Sequence, residues 1–98
     1  MAWIIDKDLL AEPDAKPGTN ANAVGLKGPR GYTGNGSELK CRFRMLDDDN
    51  EVYYEGRCDT DDDDNALRPL DDFGMPNAGC TTIQYWQTGK GGGWKNLN

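Results

Sequence analysis

Apolar and polar residues alternate most regularly between Cys41 and Cys58. Cys41, Phe43 and Met45 are interleaved with Arg42 and Arg44, the period-two signature of a strand with one buried face. After "DDDN", Val52 and Tyr54 resume the pattern, with Tyr53, Glu55 and Arg57 expected to point outward. Asn tolerates a left-handed backbone, so Asp49–Asn50 is expected at the centre of a two-residue hairpin turn. That register opposes Met45 to Tyr54, Arg44 to Glu55 and Cys41 to Cys58. It puts apolar partners on one face and a charge pair on the other. A slip of one residue would invert both faces, so the alternation selects the pairing.

Weaker patterns flank this hairpin. Trp3 to Ile5 form an apolar cluster suited to a short strand, followed by a brief helical turn through Leu10 that Pro13 would end. From Pro17 to Gly36 the chain is rich in Gly, Asn, Pro and Thr, which is loop chemistry. Glycines at 25, 28, 31 and 34 repeat with the collagen period, but four triplets with one Pro cannot sustain a triple helix. Lys27 and Arg30 in this loop are placed to face the acidic half of the chain. "RPLDDFGMPN" reads as one or two helical turns stopped by Gly74 and Pro76. "TTIQYWQ" and "WKNL", joined by "TGKGGG", form a second hairpin. The expected fold is mainly β, α+β with little helix. It is a small antiparallel sheet of four to five strands built from two hairpins, with one short helical segment and a long Gly/Pro-rich loop.

Composition sets the scale. A chain of 98 residues is read as a single domain, 1–98, with a thin core. Leu, Ile, Val and Phe supply only 15 residues, few enough to raise disorder, but three Trp and four Tyr give the core an aromatic weighting. The first residues lack the basic start and apolar stretch of a signal peptide, and no run is long enough to span a membrane. With three cysteines, an odd count, the expectation is a soluble cytoplasmic protein with reduced thiols.

Charge changes the picture most. The chain carries −6, yet the segment from Asp47 to Asp72 holds twelve acids against two bases, a net −10. The remainder has nine bases and five acids, a net +4. Such an acidic field attracts basic partners and repels nucleic acid and anionic membranes.

The acidic run and the residues around it invite comparison with several chemistries. Asp59, Asp61 and Asp63 match the first ligands of an EF-hand loop, but Asp64 stands where the turn needs Gly and Leu70 where it needs a bidentate Glu. Structural zinc is disfavoured by the absence of His and by cysteines seventeen and twenty-two residues apart. A Cys or Ser nucleophile lacks its usual base, no carboxylate pair stands out for glycoside cleavage, and "TGKGGGW" lacks the spacing of a phosphate loop. No enzyme activity, metal or cofactor is therefore expected. Two readings stay open: a solvated loop kept extended by self-repulsion, or an imitation of nucleic acid. Duplex DNA carries one negative charge per roughly 1.7 Å, and clusters at Asp47–Glu51 and Asp59–Asp64, expected at a shared end of the sheet, would approximate that track.

At "GTNANAVGLKGPRGYTG", "FRMLDDDNEVYYEGRCD" and "PLDDFGMPNAGCTTIQYW" the chain resembles a family of small uncharacterised proteins of bacteria, phages and mobile elements. That family brings no catalytic residues to carry over. By size and acidity alone, the chain is similar to phage-encoded anti-CRISPR inhibitors. That likeness implies an acidic inhibitor, a monomer in the host bacterial cell, that blocks a basic nucleic-acid-binding protein such as a CRISPR effector complex by acting as a DNA mimic. It would not bind nucleic acid or membrane directly. The residues expected to bind the partner are Asp47, Asp48, Asp49, Glu51, Glu55, Asp59, Asp61, Asp62, Asp63 and Asp64, with Asp71 and Asp72 on the flank. The alternative is a bacterial accessory or adaptor domain that binds a protein through Tyr53, Trp86 or Trp94, its acidic loop only solubilising.

Overall fold

The hairpin read from the alternation is the centre of the molecule. In a computed structural model describing residues 2–19, 21–28, 34, 36–59, 66–87 and 92–96, strands β3 (Cys41–Leu46) and β4 (Val52–Cys58) pair antiparallel. Cys41 faces Cys58, Arg44 faces Glu55 and Met45 faces Tyr54, the expected register. Strands β1 (Trp3–Asp8) and β2 (Lys27–Gly28) add on the β4 side, and β5 (Thr82–Gln87) and β6 (Gly93–Asn96) on the β3 side. The result is one antiparallel six-stranded sheet in the order β2-β1-β4-β3-β5-β6. The fold is mainly β, and β2 takes the count beyond five. It forms within the Gly-rich segment because Lys27 and Gly28 pair with Ile4 and Trp3.

Alternation sends Phe43, Met45, Tyr54, Cys58, Ile83 and Tyr85 to one face, where all are buried. Trp3 and Ile5 join them from β1, and residues 66–80 cover this face with Ala66, Leu70, Phe73 and Cys80. Phe73 bridges the covering layer to the sheet, its ring 5.8 Å from that of Trp3 and 5.0 Å from that of Tyr54. The aromatic weighting of the composition is spent here.

Five local expectations are corrected. The β3–β4 turn has three residues rather than two. The Asp47 N–H donates to Glu51 O (3.0 Å), the Asn50 N–H donates to Asp47 O (3.1 Å), and Asn50 takes a left-handed φ of 66°. The left-handed residue of such a loop, here Asn50, forms the bulge that closes the turn. A second bulge lies between Leu46↔Val52 and Met45↔Tyr54, and the residue it inserts is Tyr53. Tyr53 is therefore turned inward against the core, where strict alternation had pointed it outward. Leu9 and Leu10 form a turn, not a helix: β1 runs on to Asp8, whose Oδ1 accepts the Leu10 N–H at 2.8 Å.

The helical segment is not stopped by Gly74 or Pro76. A π-helical turn (Leu70–Gly74) passes into a short helix α1 (Met75–Ala78), and the Met75 N–H reaches back to Leu70 O. Pro76 has no N–H to offer and falls at the first turn of α1, where none is needed. Gly74 is buried against Met45. The stop comes at Gly79, with φ 72° and its N–H on Met75 O at 3.0 Å, a left-handed cap. Arg44 and Glu55 are opposite one another, but their side chains turn to other partners. Arg44 Nε donates to Gln84 Oε1 (2.6 Å), and Glu55 has Lys7 at 3.9 Å.

Candidate functional site

The hairpin tip is an acidic turn organised by Asp47. Its Oδ1 accepts the backbone N–H groups of Asp49 and Glu51, each at 2.9 Å, and its Oδ2 accepts the Tyr53 hydroxyl at 2.8 Å. The Glu51 N–H, with Tyr53 and Asp49 adding to it, holds the Asp47 carboxyl below its ordinary value against the opposing effect of burial. The same hydrogen bond pushes the Tyr53 hydroxyl up. Asp48, Asp49 and Glu51 surround this framework with exposed side chains. One carboxylate therefore fixes the backbone that presents three others.

A second acidic segment reaches the same end of the sheet. Asp8, the last residue of β1, pairs with Tyr54, and the Leu9 N–H donates to Tyr53 O at 2.9 Å. Asp8 is itself fixed, Oδ1 on the Leu10 N–H and Oδ2 on the Ala23 N–H at 2.7 Å. Beside Asp8 and Tyr53 lies an open cleft of about 590 Å³, lined by Asp8, Leu10, Glu12, Ala21, Tyr53, Tyr54, Asn77 and Ala78. Asn77 Nδ2 donates to the Tyr54 hydroxyl at 3.2 Å, closing the floor. Leu9 and Leu10, each about half exposed (52% and 50%), stand at its edge. Two carboxylates, two tyrosines and no Lys or Arg line it among the described residues. Apolar contact area with an anionic rim suits a cationic side chain on a protein surface.

The other expected acids do not join this end. Asp59 follows Cys58 at the far end of β4, its N–H on Ala2 O at 3.1 Å. Seven strand residues separate it from the tip, roughly 23 Å. Asp59 therefore stands at the opposite end from the hairpin turn, because a hairpin's turn and the residue leaving its second strand lie at opposite ends. Asp61, Asp62, Asp63 and Asp64 lie outside the described residues, as does Arg30. Glu55 sits mid-strand beside Lys7, and Asp71 and Asp72 are exposed on the helical segment over the core face. Lys27 is exposed in β2, and among the described residues no ion pair ties it to a carboxylate.

Sequence reasoning missed Asp8 and Glu12. The signal was present in the N-terminal acids Asp6, Asp8, Glu12 and Asp14, but it needed the β1–β4 pairing to bring them beside the tip. Of the aromatics proposed for an interface, Tyr53 belongs to this cleft, whereas Trp86 and Trp94 pair on β5 and β6. None of the three cysteines forms a disulfide, and no helix is long and apolar enough to cross a membrane among the described residues. Comparison with protein-family models, with curated proteins and with solved structures finds no match for this chain.

Proposed function

We propose that this protein is an acidic binding domain whose hairpin-tip end occupies the basic surface of a nucleic-acid-binding protein. The observation that carries the reading is the arrival at one end of the sheet of two acidic segments, Asp8 with Glu12 in a cleft that no described Lys or Arg lines, and Asp47 to Glu51 in the turn whose Asp47 holds the cleft residue Tyr53. The carboxylates of Asp8 and Asp47 are held by backbone N–H groups, and the turn that Asp47 fixes presents Asp48, Asp49 and Glu51, so a basic groove meets an anionic surface on a preformed backbone. Release of the counterions held by the groove makes association favourable and salt-dependent, as it does for DNA itself. Tyr53 and the exposed Leu9 and Leu10 add apolar contact that a phosphate backbone lacks. Among the described acids, Asp59 stands apart from this end, and Asp71 and Asp72 belong to the helical segment over the core face.

The test uses basic nucleic-acid-binding proteins, CRISPR effector complexes among them. Binding is measured at about 50 and about 200 mM salt, with and without competing duplex DNA. Asp48→Asn, Asp49→Asn and Glu51→Gln together remove three charges without touching the bonds made by Asp47. The combined variant is expected to keep its melting temperature and lose binding at least tenfold. Unchanged affinity, or binding indifferent to salt and DNA, overturns the proposal.

A further inference from the structure

The opposite half of the sheet has the opposite chemistry. Residues 39–46 and 80–98, which supply β3, β5 and β6, contain Lys40, Arg42, Arg44, Lys90 and Lys95 and no Asp or Glu. This part of a chain with net charge −6 therefore carries +5. On the face turned away from the core, Trp86 and Trp94 are cross-strand partners, edge to face with ring centroids 5.4 Å apart. The Arg42 guanidinium stands 5.6 Å from the Trp86 ring and 5.5 Å from the Trp94 ring, and that of Arg44 lies 4.5 Å over Trp94. Arg42 and Trp86 are exposed, the latter by 37%. The amides of Gln84 and Asn96 extend the same surface, hydrogen-bonded to each other at 2.6 Å.

Guanidinium–indole contacts stabilise a sheet edge, but that role alone does not require two cations and two indoles in a half of the sheet free of carboxylates. Glu55 is the cross-strand partner of Arg44 and lines a pocket with Asp6 and Arg42, and Lys7 stands 3.9 Å from it. The indole pair extends farther from that carboxylate: strands lie about 4.8 Å apart, so β6 is roughly 14 Å from β4, beyond the ~8 Å over which charge acts at physiological salt.

We propose that this face binds single-stranded nucleic acid, with unpaired bases stacked on Trp86 and Trp94 and phosphates held by Arg42, Arg44 and their basic neighbours. Charge complementarity selects an anionic ligand. The two indoles select one with flat faces to stack, and a sheet face without a protruding helix or ribbon does not enter a duplex groove. The inference stands apart from the tip reading, because neutralising Asp48, Asp49 and Glu51 leaves every residue of this surface in place.

The experiment is fluorescence anisotropy with labelled oligo-dT and oligo-U of about 20 nucleotides, alongside quenching of tryptophan emission. Trp3 is buried, so quenching by ligand reports on Trp86 and Trp94. Single strands are expected to bind at about 50 mM salt and roughly tenfold more weakly at about 200 mM, the loss given by two or three phosphate contacts. Trp86→Ala with Trp94→Ala should weaken binding at least tenfold, Trp86→Phe with Trp94→Phe only a few-fold, and Arg42→Gln with Arg44→Gln should flatten the salt dependence. The ring-retaining and Arg variants keep the test valid if the double alanine variant unfolds. Absence of binding at low salt, equal affinity for duplex, or indifference to these variants overturns the proposal. Binding of polyglutamate in place of either oligonucleotide would also overturn it and assign the face to an acidic protein.

Discussion

The Tyr53 hydroxyl donates to Oδ2 of Asp47 at 2.8 Å, tying the residue inserted by the β4 bulge to the first residue of the acidic turn. Asp47 loses this network when its carboxyl is protonated. Its folded value lies below the ordinary 3.8, so its contribution to stability is full above that value and fades as pH falls below it. The urea midpoint of the wild-type protein should exceed that of Asp47→Asn by a constant margin from about pH 5 to 7, and the margin should shrink below pH 3.8. Tyr53→Phe should retain part of the margin, because the two backbone N–H bonds remain. A margin that grows on acidification would contradict the assignment.

Gly56 sits where β1 and β4 approach most closely. A Cβ there would stand 2.2 Å from the Ile4 carbonyl oxygen and 2.7 Å from Phe43 Cζ. Neither neighbour has room to retreat, since Ile4 O belongs to the sheet backbone and Phe43 is fully buried. Gly56→Ala should therefore destabilise the domain by about 3 kcal/mol in urea unfolding, the upper range for overpacking. Gly56→Ser should do no better.

Two positions test the backbone without the packing. Gly79 has φ 72° and open space around the missing Cβ, so Gly79→Ala should cost about 1 kcal/mol from the left-handed conformation alone. Asn50, at φ 66°, should tolerate replacement by Gly, whereas Asn50→Ala should cost a similar ~1 kcal/mol. Urea midpoints of the four proteins, wild type included, give the comparison directly.

Cys80 is a structural thiol. Burial, with the nearby Asp47 charge adding to it, pushes its thiol up to about 11, so it is almost wholly protonated at neutral pH. Iodoacetamide at about pH 8 should modify it roughly a hundredfold more slowly than an ordinary thiol, and the protection should vanish in urea. Because the folded value is raised, stability should also fall as pH climbs past 9. Peptide mapping of the alkylated protein checks the first expectation, and alkaline melting checks the second.

The β3–β4 register was legible because its period-two pattern spans both strands and only one pairing buries Phe43, Met45 and Tyr54 together. The length of its turn was not, because a two-residue turn and a three-residue turn with a bulge give the same register beyond the bulge. That ambiguity placed Tyr53 on the wrong side. The acidic end was half legible. Asp47 to Glu51 stood out as a run, but proximity along the chain suggested Asp59 to Asp64 as its partner. Among the described residues the acids beside it are Asp8 and Glu12, which lie about forty residues away in sequence and arrive through β1–β4 pairing. Pro76 and Gly74 misled for a local reason: each is a helix breaker in a helix interior, and here each falls at the junction of the π-helical turn with α1.

Carboxylates gather around the hairpin tip, while β3, β5 and β6 contribute none. Among the described residues charge is therefore separated between the tip and these strands, and a separation of this kind exerts a torque before any contact forms. Near a cationic body the molecule would arrive tip first, and near a polyanion it would turn the indole pair forward, so two oppositely charged partners could dock at the same time.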